Sequence, residues 1–142
     1  MSASGTFRRS FDAIDDIFAF TADAFDRERI EPGVRPTVDL VLEELFTNVV
    51  KYGRSGETPL RVDLTKVPDG VEVVFTDDDA TPFDPTRAPE VDIEAPIEER
   101  RPGGLGLHLI RKLVESIEYR YVEENRQGQV RFRIRGKDDA GD

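Results

Sequence analysis

Two polar residues, Glu44 and Asn48, lie four positions apart in the otherwise largely apolar segment VLEELFTNVVKYG, residues 41–53. On a helix this spacing places both side chains on the same face. A carboxylate there can accept the proton of an attacking hydroxyl or water, and the amide oxygen of asparagine suits a phosphate-bound Mg²⁺. The pair therefore indicates a general base beside a metal ligand. The alternative is a solvated helix face that carries two polar residues.

A run of acidic and turn-forming residues, DDDATPFDP at residues 77–85, directly follows a predicted strand. Carboxylates at the end of a strand can accept an amino hydrogen from a purine or hold a metal ion. Aspartate and proline are also common in ordinary turns. The residues alone leave both a ligand site and a plain turn open for this segment.

The third candidate segment is RPGGLGLHL, residues 101–109, in which Gly103, Gly104 and Gly106 precede or open a predicted helix. Glycines let backbone N–H groups approach an anion closely, and a helix N-terminus favours negative charge. The pattern is neither a G-x-G-x-x-G after a strand nor a Walker A motif, because the Lys-Ser/Thr end is missing. A phosphate contact and a simple turn both fit it. His108 is more typical of a partly buried helix residue than of a catalyst.

Apolar periodicity predicts the elements that must position these segments. A helical period covers residues 12–29, and a second apolar stripe predicts a helix that follows a Thr37 cap and ends before Gly53. Residues 5–11, GTFRRSF, alternate and are consistent with a short first strand. Residues 104–117 predict a helix opened by glycines.

Two pairs of alternating segments predict β-hairpins. LRVDLTKV and VEVVFTD flank the turn signal PDG at residues 68–70, and YRYVEEN and QVRFRIR flank RQG at residues 126–128. Between the hairpins, residues 78–104 contain five prolines and little periodicity, and structureless segments of such length are usually functional or disordered. The polar tail at residues 137–142 is expected to be frayed.

The resulting order, β-α-α-β-β-loop-α-β-β, predicts one domain over residues 1–142. Because the later strands arrive as hairpins, the sheet is expected to be mostly antiparallel. Helices grouped with such a sheet favour an α/β (α+β) two-layer sandwich, with the sheet covered on one face by helices. This order differs from the strand–helix alternation of a doubly wound fold.

Composition disfavours several classes of function. The formal net charge of −10 opposes non-specific binding to nucleic acid or to an anionic membrane. The chain has no cysteine and one histidine, His108, which disfavours disulfides, thiolate metal sites and a zinc cluster. No apolar run approaches the ~20 residues of a membrane span, and the N-terminus lacks the apolar core of a signal peptide. We therefore expect a cytoplasmic protein that binds neither nucleic acid nor membrane.

Taken in order, the three segments resemble the N, G1 and G2 boxes of the GHKL ATPase/kinase superfamily, whose Bergerat fold binds ATP under a mobile lid. EELFTNVVKYG resembles the N box, DDDATPFDP the G1 box and RPGGLGLHLIRKL the G2 box. PFDP after the acidic cluster, together with GGLGLHLIRKLVE, is similar to the anti-sigma-factor serine kinases of the RsbW and SpoIIAB type. This resemblance covers nearly the whole chain.

The resemblance implies a role for individual positions. It makes Glu44 the catalytic general base, Asn48 the Mg²⁺ ligand and Asp78 the acceptor for the adenine amino group, and it makes residues 86–103 the ATP lid. Gly104 and Gly106 match the phosphate-side glycines at the end of that lid. The further residues expected at the nucleotide are Lys51, Tyr52, Ala80, Pro82, Phe83, Arg101, Gly103, Leu105, Leu107 and Gln129.

The resemblance also implies an activity and partners. It predicts a protein-serine kinase that uses ATP and Mg²⁺ to phosphorylate a serine of a STAS-type anti-sigma-factor antagonist. Phosphorylation would release the antagonist, and the kinase could then sequester a sigma factor. Members of this type commonly form homodimers through the first strand and helix, here the region around TFRRSF.

The chain departs from the family pattern at three positions, of which Ala80 and Gln129 support an alternative. Ala80 stands where the G1 box has glycine, Gln129 follows Gly128 where the last hairpin has threonine, and Tyr52 stands where many relatives have histidine. The first two changes are expected around the base. The alternative is a nucleotide-gated binding module or anti-sigma switch with weak or no kinase activity. A histidine kinase is disfavoured because His108 lies in the G2 helix itself.

Overall fold

The computed structural model describes residues 2–53, 56–82, 84–86 and 110–136. The predicted frayed tail, the glycine segment and all but the first residue of the predicted lid lie outside these ranges. The strands are β1 (Ser2–Phe7), β2 (Leu60–Val67), β3 (Gly70–Asp77), β4 (Ser116–Val122) and β5 (Gln127–Arg135), and the two long helices are α1 (Ile14–Arg27) and α2 (Arg35–Tyr52).

The five strands form one sheet in the order β1-β2-β3-β5-β4, and every neighbouring pair is antiparallel. Both predicted hairpins are present, and β3 lies at the centre of the sheet between β2 and β5. The sheet and the helices share one hydrophobic core. The predicted α+β fold, with an antiparallel sheet covered on one face by helices, is confirmed.

Alternation along the strands decides which side chains face the helices. On β3, Val71, Val73 and Phe75 are buried in the core. Their cross-strand partners Phe132 and Val130 on β5 are buried as well. Successive strand residues point to opposite faces, so the residues between them lie on the other face of the sheet.

The helix α2 packs through the apolar stripe predicted from its sequence. Its buried apolar residues are Val38, Val41, Leu42, Leu45, Phe46 and Val49. A helix with this period buries one face while the opposite face stays accessible. None of the helices in the described ranges is long and apolar enough to cross a membrane.

Several predicted boundaries were wrong. β1 begins at Ser2 and ends at Phe7, so the whole RRSF portion, residues 8–11, lies beyond the strand. α2 begins at Arg35 rather than after Thr37, because Pro36 fits the first turn, where its missing N–H breaks no helical hydrogen bond. Ser116 and Ile117 belong to β4 rather than to the preceding helix.

Candidate functional site

A small cavity lies between the end of α2 and the sheet. The strands β3, β4 and β5, the turn after β3 and the last residues of α2 all contribute to its wall. The lining residues are Val49, Gly53, Phe75, Asp77, Ala80, Thr81, Pro85, Tyr119, Gly128 and Val130. The wall is largely apolar, with the side chains of Asp77, Thr81 and Tyr119 as its polar groups, a composition typical of small-molecule sites.

Asp77 is the carboxylate in this wall, because alternation along β3 points its side chain toward the helices. It continues the inward series of Val73 and Phe75 along β3 and is 5% exposed. Asp78, the next residue, points to the opposite side, and its side chain is 47% exposed. It accepts a hydrogen bond from Gln127 Nε2 at 2.8 Å and pairs with Arg61. The structure therefore places Asp77 in the cavity wall, whereas Asp78, the residue predicted to receive adenine, lies outside it.

Arg9, which follows β1, holds the Asp77 carboxylate. Its Nη1 donates to one carboxylate oxygen at 3.1 Å and its Nη2 donates to the other. Its Nε donates to the carbonyl of Thr58 at 2.7 Å. The backbone N–H of Asp79 also donates to Asp77 Oδ1, at 2.9 Å. A carboxylate that accepts several charge-assisted hydrogen bonds is fixed as an acceptor.

Ala80 and Gly128 approach each other closely in the same wall. The Ala80 N–H donates to the carbonyl of Arg126 at 2.8 Å, which draws the turn onto the start of β5. A Cβ atom on Gly128 would lie 3.0 Å from the Ala80 methyl group. Glycine at position 128 thus keeps open a space that a larger residue would fill.

Tyr119 on β4 contributes the phenol. Its hydroxyl oxygen is buried, and it has no hydrogen-bond partner in the described part of the chain. Burial, together with the nearby Asp84, Tyr121 and Asp77, raises the pKa of Tyr119 to about 12. The hydroxyl therefore stays protonated at neutral pH.

Asn48 lies on α2 next to the cavity residue Val49 and is 4% exposed. Its Nδ2 donates to the carbonyl of Pro85 at 3.0 Å. A backbone carbonyl can only accept, so the amide nitrogen must face Pro85 and the amide oxygen must point elsewhere. That oxygen is the kind of ligand that Mg²⁺ takes.

Glu44, one turn earlier on α2, is half-buried. Burial raises the pKa of its carboxyl group, and the neighbouring charge of Glu43 raises it further, while Lys51 opposes the shift. A carboxylate with a raised pKa is a better proton acceptor than an ordinary one. Because Glu44 and Asn48 differ by four positions on one helix, the predicted pairing of base and metal ligand on one face is geometrically available.

Arg111 contacts Thr86 in the segment 84–86, which follows the cavity residues of the turn after β3. Thr86 donates from its N–H at 2.8 Å and from its hydroxyl at 2.6 Å to Asp84 Oδ1. Arg111 Nη2 donates to the Thr86 carbonyl at 2.9 Å. Thr86, the first residue of the predicted lid, is thus hydrogen-bonded to the segment that begins at residue 110.

The other predicted site residues are placed as follows. Gln129 faces away from the helices, where it is in register with Thr76 and donates to its hydroxyl at 3.4 Å, so it does not line the cavity. Lys51 and Pro82 are exposed and Tyr52 is half-buried at the end of α2. The predicted site residues outside the described ranges are Phe83, Arg101, Gly103, Gly104, Leu105, Gly106 and Leu107.

Among the site residues that sequence reasoning missed, four contribute charged or phenolic side chains: Arg9, Asp77, Tyr119 and Arg111. For Asp77 a signal existed, because extending the apolar alternation of β3 by one step reaches position 77. A similar signal existed for Tyr119, because it lies two residues after Ile117 on β4 and therefore points to the same face of the sheet. Nothing local to Arg9 or Arg111 predicts their partners, which lie 68 and 25 positions away in the chain.

Comparison with known proteins shows the family of this chain. A family model described as a histidine kinase-like ATPase domain matches residues 7–134. The chain is also similar to the serine/threonine-protein kinase BtrW of Bordetella bronchiseptica, with 28% identity over 94 residues. The match covers 66% of each protein, so the chain spans just under two thirds of that relative.

Proposed function

Because this chain belongs to the histidine kinase-like ATPase domain family, we propose that it is an ATP-dependent protein-serine kinase. The family match confirms the resemblance to the GHKL superfamily. The observation that carries the proposal is the α2 pair, in which Glu44 has a raised pKa and Asn48 turns its amide oxygen away from Pro85. A general base and a metal ligand on one helix face suit phosphoryl transfer.

The polarity of the cavity wall suits the base of ATP. Asp77 offers an acceptor for an amino group, and Gly128 leaves room where a methyl group would crowd Ala80. We therefore assign recognition of the adenine amino group to Asp77 rather than Asp78.

Mg²⁺ fits beside Asn48 by the same reasoning. A single amide oxygen is a small donor set, and Mg²⁺ commonly takes only one or two protein ligands, with phosphate oxygens and water completing its shell. When bound, the ion would neutralise charge on the phosphates.

In the proposed reaction the oxygen of a substrate serine attacks the γ-phosphorus of ATP. The hydroxyl proton passes to the Glu44 carboxylate, the bond from the γ-phosphorus to the bridging oxygen breaks, and ADP leaves with the electron pair of that bond. The raised pKa of Glu44 suits it to this proton transfer.

For the substrate we propose a serine of a STAS-type anti-sigma-factor antagonist. The sequence resemblance to RsbW-type kinases supports this choice, and the relative BtrW is named a serine/threonine-protein kinase. In the same partner switch the unphosphorylated antagonist would hold the kinase, and the released kinase would bind a sigma factor. A homodimer formed through the β1 region and a cytoplasmic location belong to the same proposal.

The test is incubation of the purified protein with Mg·ATP labelled at the γ-phosphate and STAS-domain proteins encoded near its gene. We expect labelled phosphoserine on one of them, and no label with Glu44→Gln. The variant Glu43→Gln, altered at an exposed neighbour, serves as the matched control and should transfer phosphate. A tight complex with an antagonist but no phosphoserine would reject the kinase.

A second candidate function, a nucleotide-gated binding switch, is favoured by one observation. The Ala80 methyl group lies against Gly128 in the cavity wall and narrows the space for a base. For such a switch, ATP and ADP would change the affinity for the antagonist without phosphate transfer. The same assay, read together with complex formation, separates the two functions.

A further inference from the structure

The Tyr119 hydroxyl is a buried polar group without a partner among the described residues. Leaving such a group unsatisfied is unfavourable, because it loses its hydrogen bonds to water on folding. Phenylalanine would fill the same volume without that cost. Tyr119 also lines the cavity, next to Gly128. A ligand in the cavity is the natural partner for this hydroxyl.

The chemistry of the hydroxyl sets what that partner must be. Its pKa of about 12 keeps the proton on the oxygen at neutral pH. The hydroxyl can therefore donate into the cavity, where the ligand must supply an acceptor. Asp77 offers the opposite character, since Arg9 and the Asp79 N–H hold it as a carboxylate that only accepts.

The two side chains thus present an acceptor and a donor in one wall. The edge of adenine carries an amino donor next to the ring acceptor N1, whereas hypoxanthine and guanine carry a carbonyl acceptor next to an N–H donor. The acceptor on Asp77 and the donor on Tyr119 are complementary to the edge of adenine. They are not complementary to the edge of hypoxanthine or guanine, where donor and acceptor are exchanged.

We propose that Tyr119 donates its hydroxyl hydrogen to N1 of the bound base, beside the amino group that Asp77 accepts. The inference rests on the proposed ATP site and adds to it a residue that determines base specificity. Sites that hydrogen-bond a substrate group discriminate against analogues in which that group is missing or reversed.

The experiment compares the wild type with Tyr119→Phe by isothermal titration with ATP and with 1-deaza-ATP, in which C–H replaces N1. A lost neutral hydrogen bond corresponds to about 3- to 10-fold in affinity. We expect that loss for Tyr119→Phe with ATP and for the wild type with 1-deaza-ATP. The variant should show no further loss with the analogue, because the two changes remove the same contact.

Two controls keep the result interpretable. Tyr119→Phe should melt at the same temperature as the wild type or higher, since it removes an unpaired buried hydroxyl. Tyr121→Phe, changed two residues along β4 at a side chain outside the cavity wall, should bind ATP as the wild type does.

Three results would overturn the inference while leaving the proposed function intact. The first is that Tyr119→Phe binds ATP with wild-type affinity. The second is that the losses of affinity caused by the variant and by 1-deaza-ATP add independently. The third is that the variant abolishes the loss of affinity seen with 7-deaza-ATP and leaves the loss seen with 1-deaza-ATP unchanged. Failure of the wild type to bind ATP at all would reject the proposed function, and the inference with it.

Discussion

Arg9 and Asp77 form a buried two-point ion pair that joins the end of β1 to the wall of the cavity. The side chains are 3% and 7% exposed, and the guanidinium donates to both carboxylate oxygens. The same arginine holds the carbonyl of Thr58 before β2. The N-terminal segment is therefore a structural part of the site.

Replacing Arg9 by methionine should destabilise the protein strongly. The change leaves the Asp77 carboxylate buried without its cation, which typically costs about 3–5 kcal/mol. Urea unfolding measures the loss. Arg8→Met is the matched control, because that side chain is 73% exposed and pairs only at the surface with Asp12. Equal stability of the two variants would contradict a structural role for the buried pair.

Glu44→Gln should lower the rate of phosphate transfer by about 100- to 10,000-fold, the usual contribution of a general base. Because only the ionised carboxylate accepts a proton, wild-type activity should fall as the pH drops through a pKa above the ordinary value of 4.5. Glu43→Gln should move this acid limb to lower pH, and Lys51→Met should move it to higher pH, since their charges shift the Glu44 pKa in opposite directions. The pH profile of kcat is the measurement, and an acid limb unmoved by both changes would exclude Glu44 as the base.

Asn48→Ala should weaken ATP binding in the presence of Mg²⁺ by about tenfold, equivalent to ~1.4 kcal/mol, and much less without the metal. Asn48→Asp keeps an oxygen ligand but loses the donor to the Pro85 carbonyl, so it should retain the Mg²⁺ dependence while losing stability. Titration with and without EDTA measures the first effect and thermal melting the second. Identical Mg²⁺ dependence in the wild type and Asn48→Ala would argue against a metal ligand.

Gly128→Ala should weaken ATP binding and lower stability by about 1–3 kcal/mol, the usual cost of overpacking. The new methyl group would lie 3.0 Å from that of Ala80. Ala80→Gly should relieve the contact, so the double variant should recover both properties. Unfolding and ATP titration of the four proteins form the test, and additive losses in the double variant would show that the two positions do not share this space.

Much of the fold could be predicted because its signals are local. Turn residues at 68–70 and 126–128 marked both hairpins, and alternation marked their strands. The apolar stripe of α2 predicted its buried face correctly. Predicted element boundaries were wrong where a local signal was ambiguous. The start of α2 is an example, because Pro36 fits the first turn of a helix as well as it fits a preceding turn.

The site was predicted less completely than the fold. Three consecutive aspartates begin at Asp77, the last residue of β3. Only the alternation along the strand decides that Asp77 faces the helices while Asp78 faces outward. Gln129 lies on the other face for the same reason, because it alternates with the buried Gly128 and Val130. Assigning roles by motif spacing alone does not show to which face of the sheet a side chain points.

The sequence by itself determined the placement of Glu44 and Asn48 on one helix face, because the pitch of an α-helix fixes the relation of positions four apart. Only the tertiary structure decided that Arg9 reaches Asp77, that Ala80 meets Gly128 and that the Tyr119 hydroxyl is buried without a partner in the described chain. These contacts join separate strands and loops. They depend on strand register and on how the layers pack, and no periodicity within a single segment encodes either.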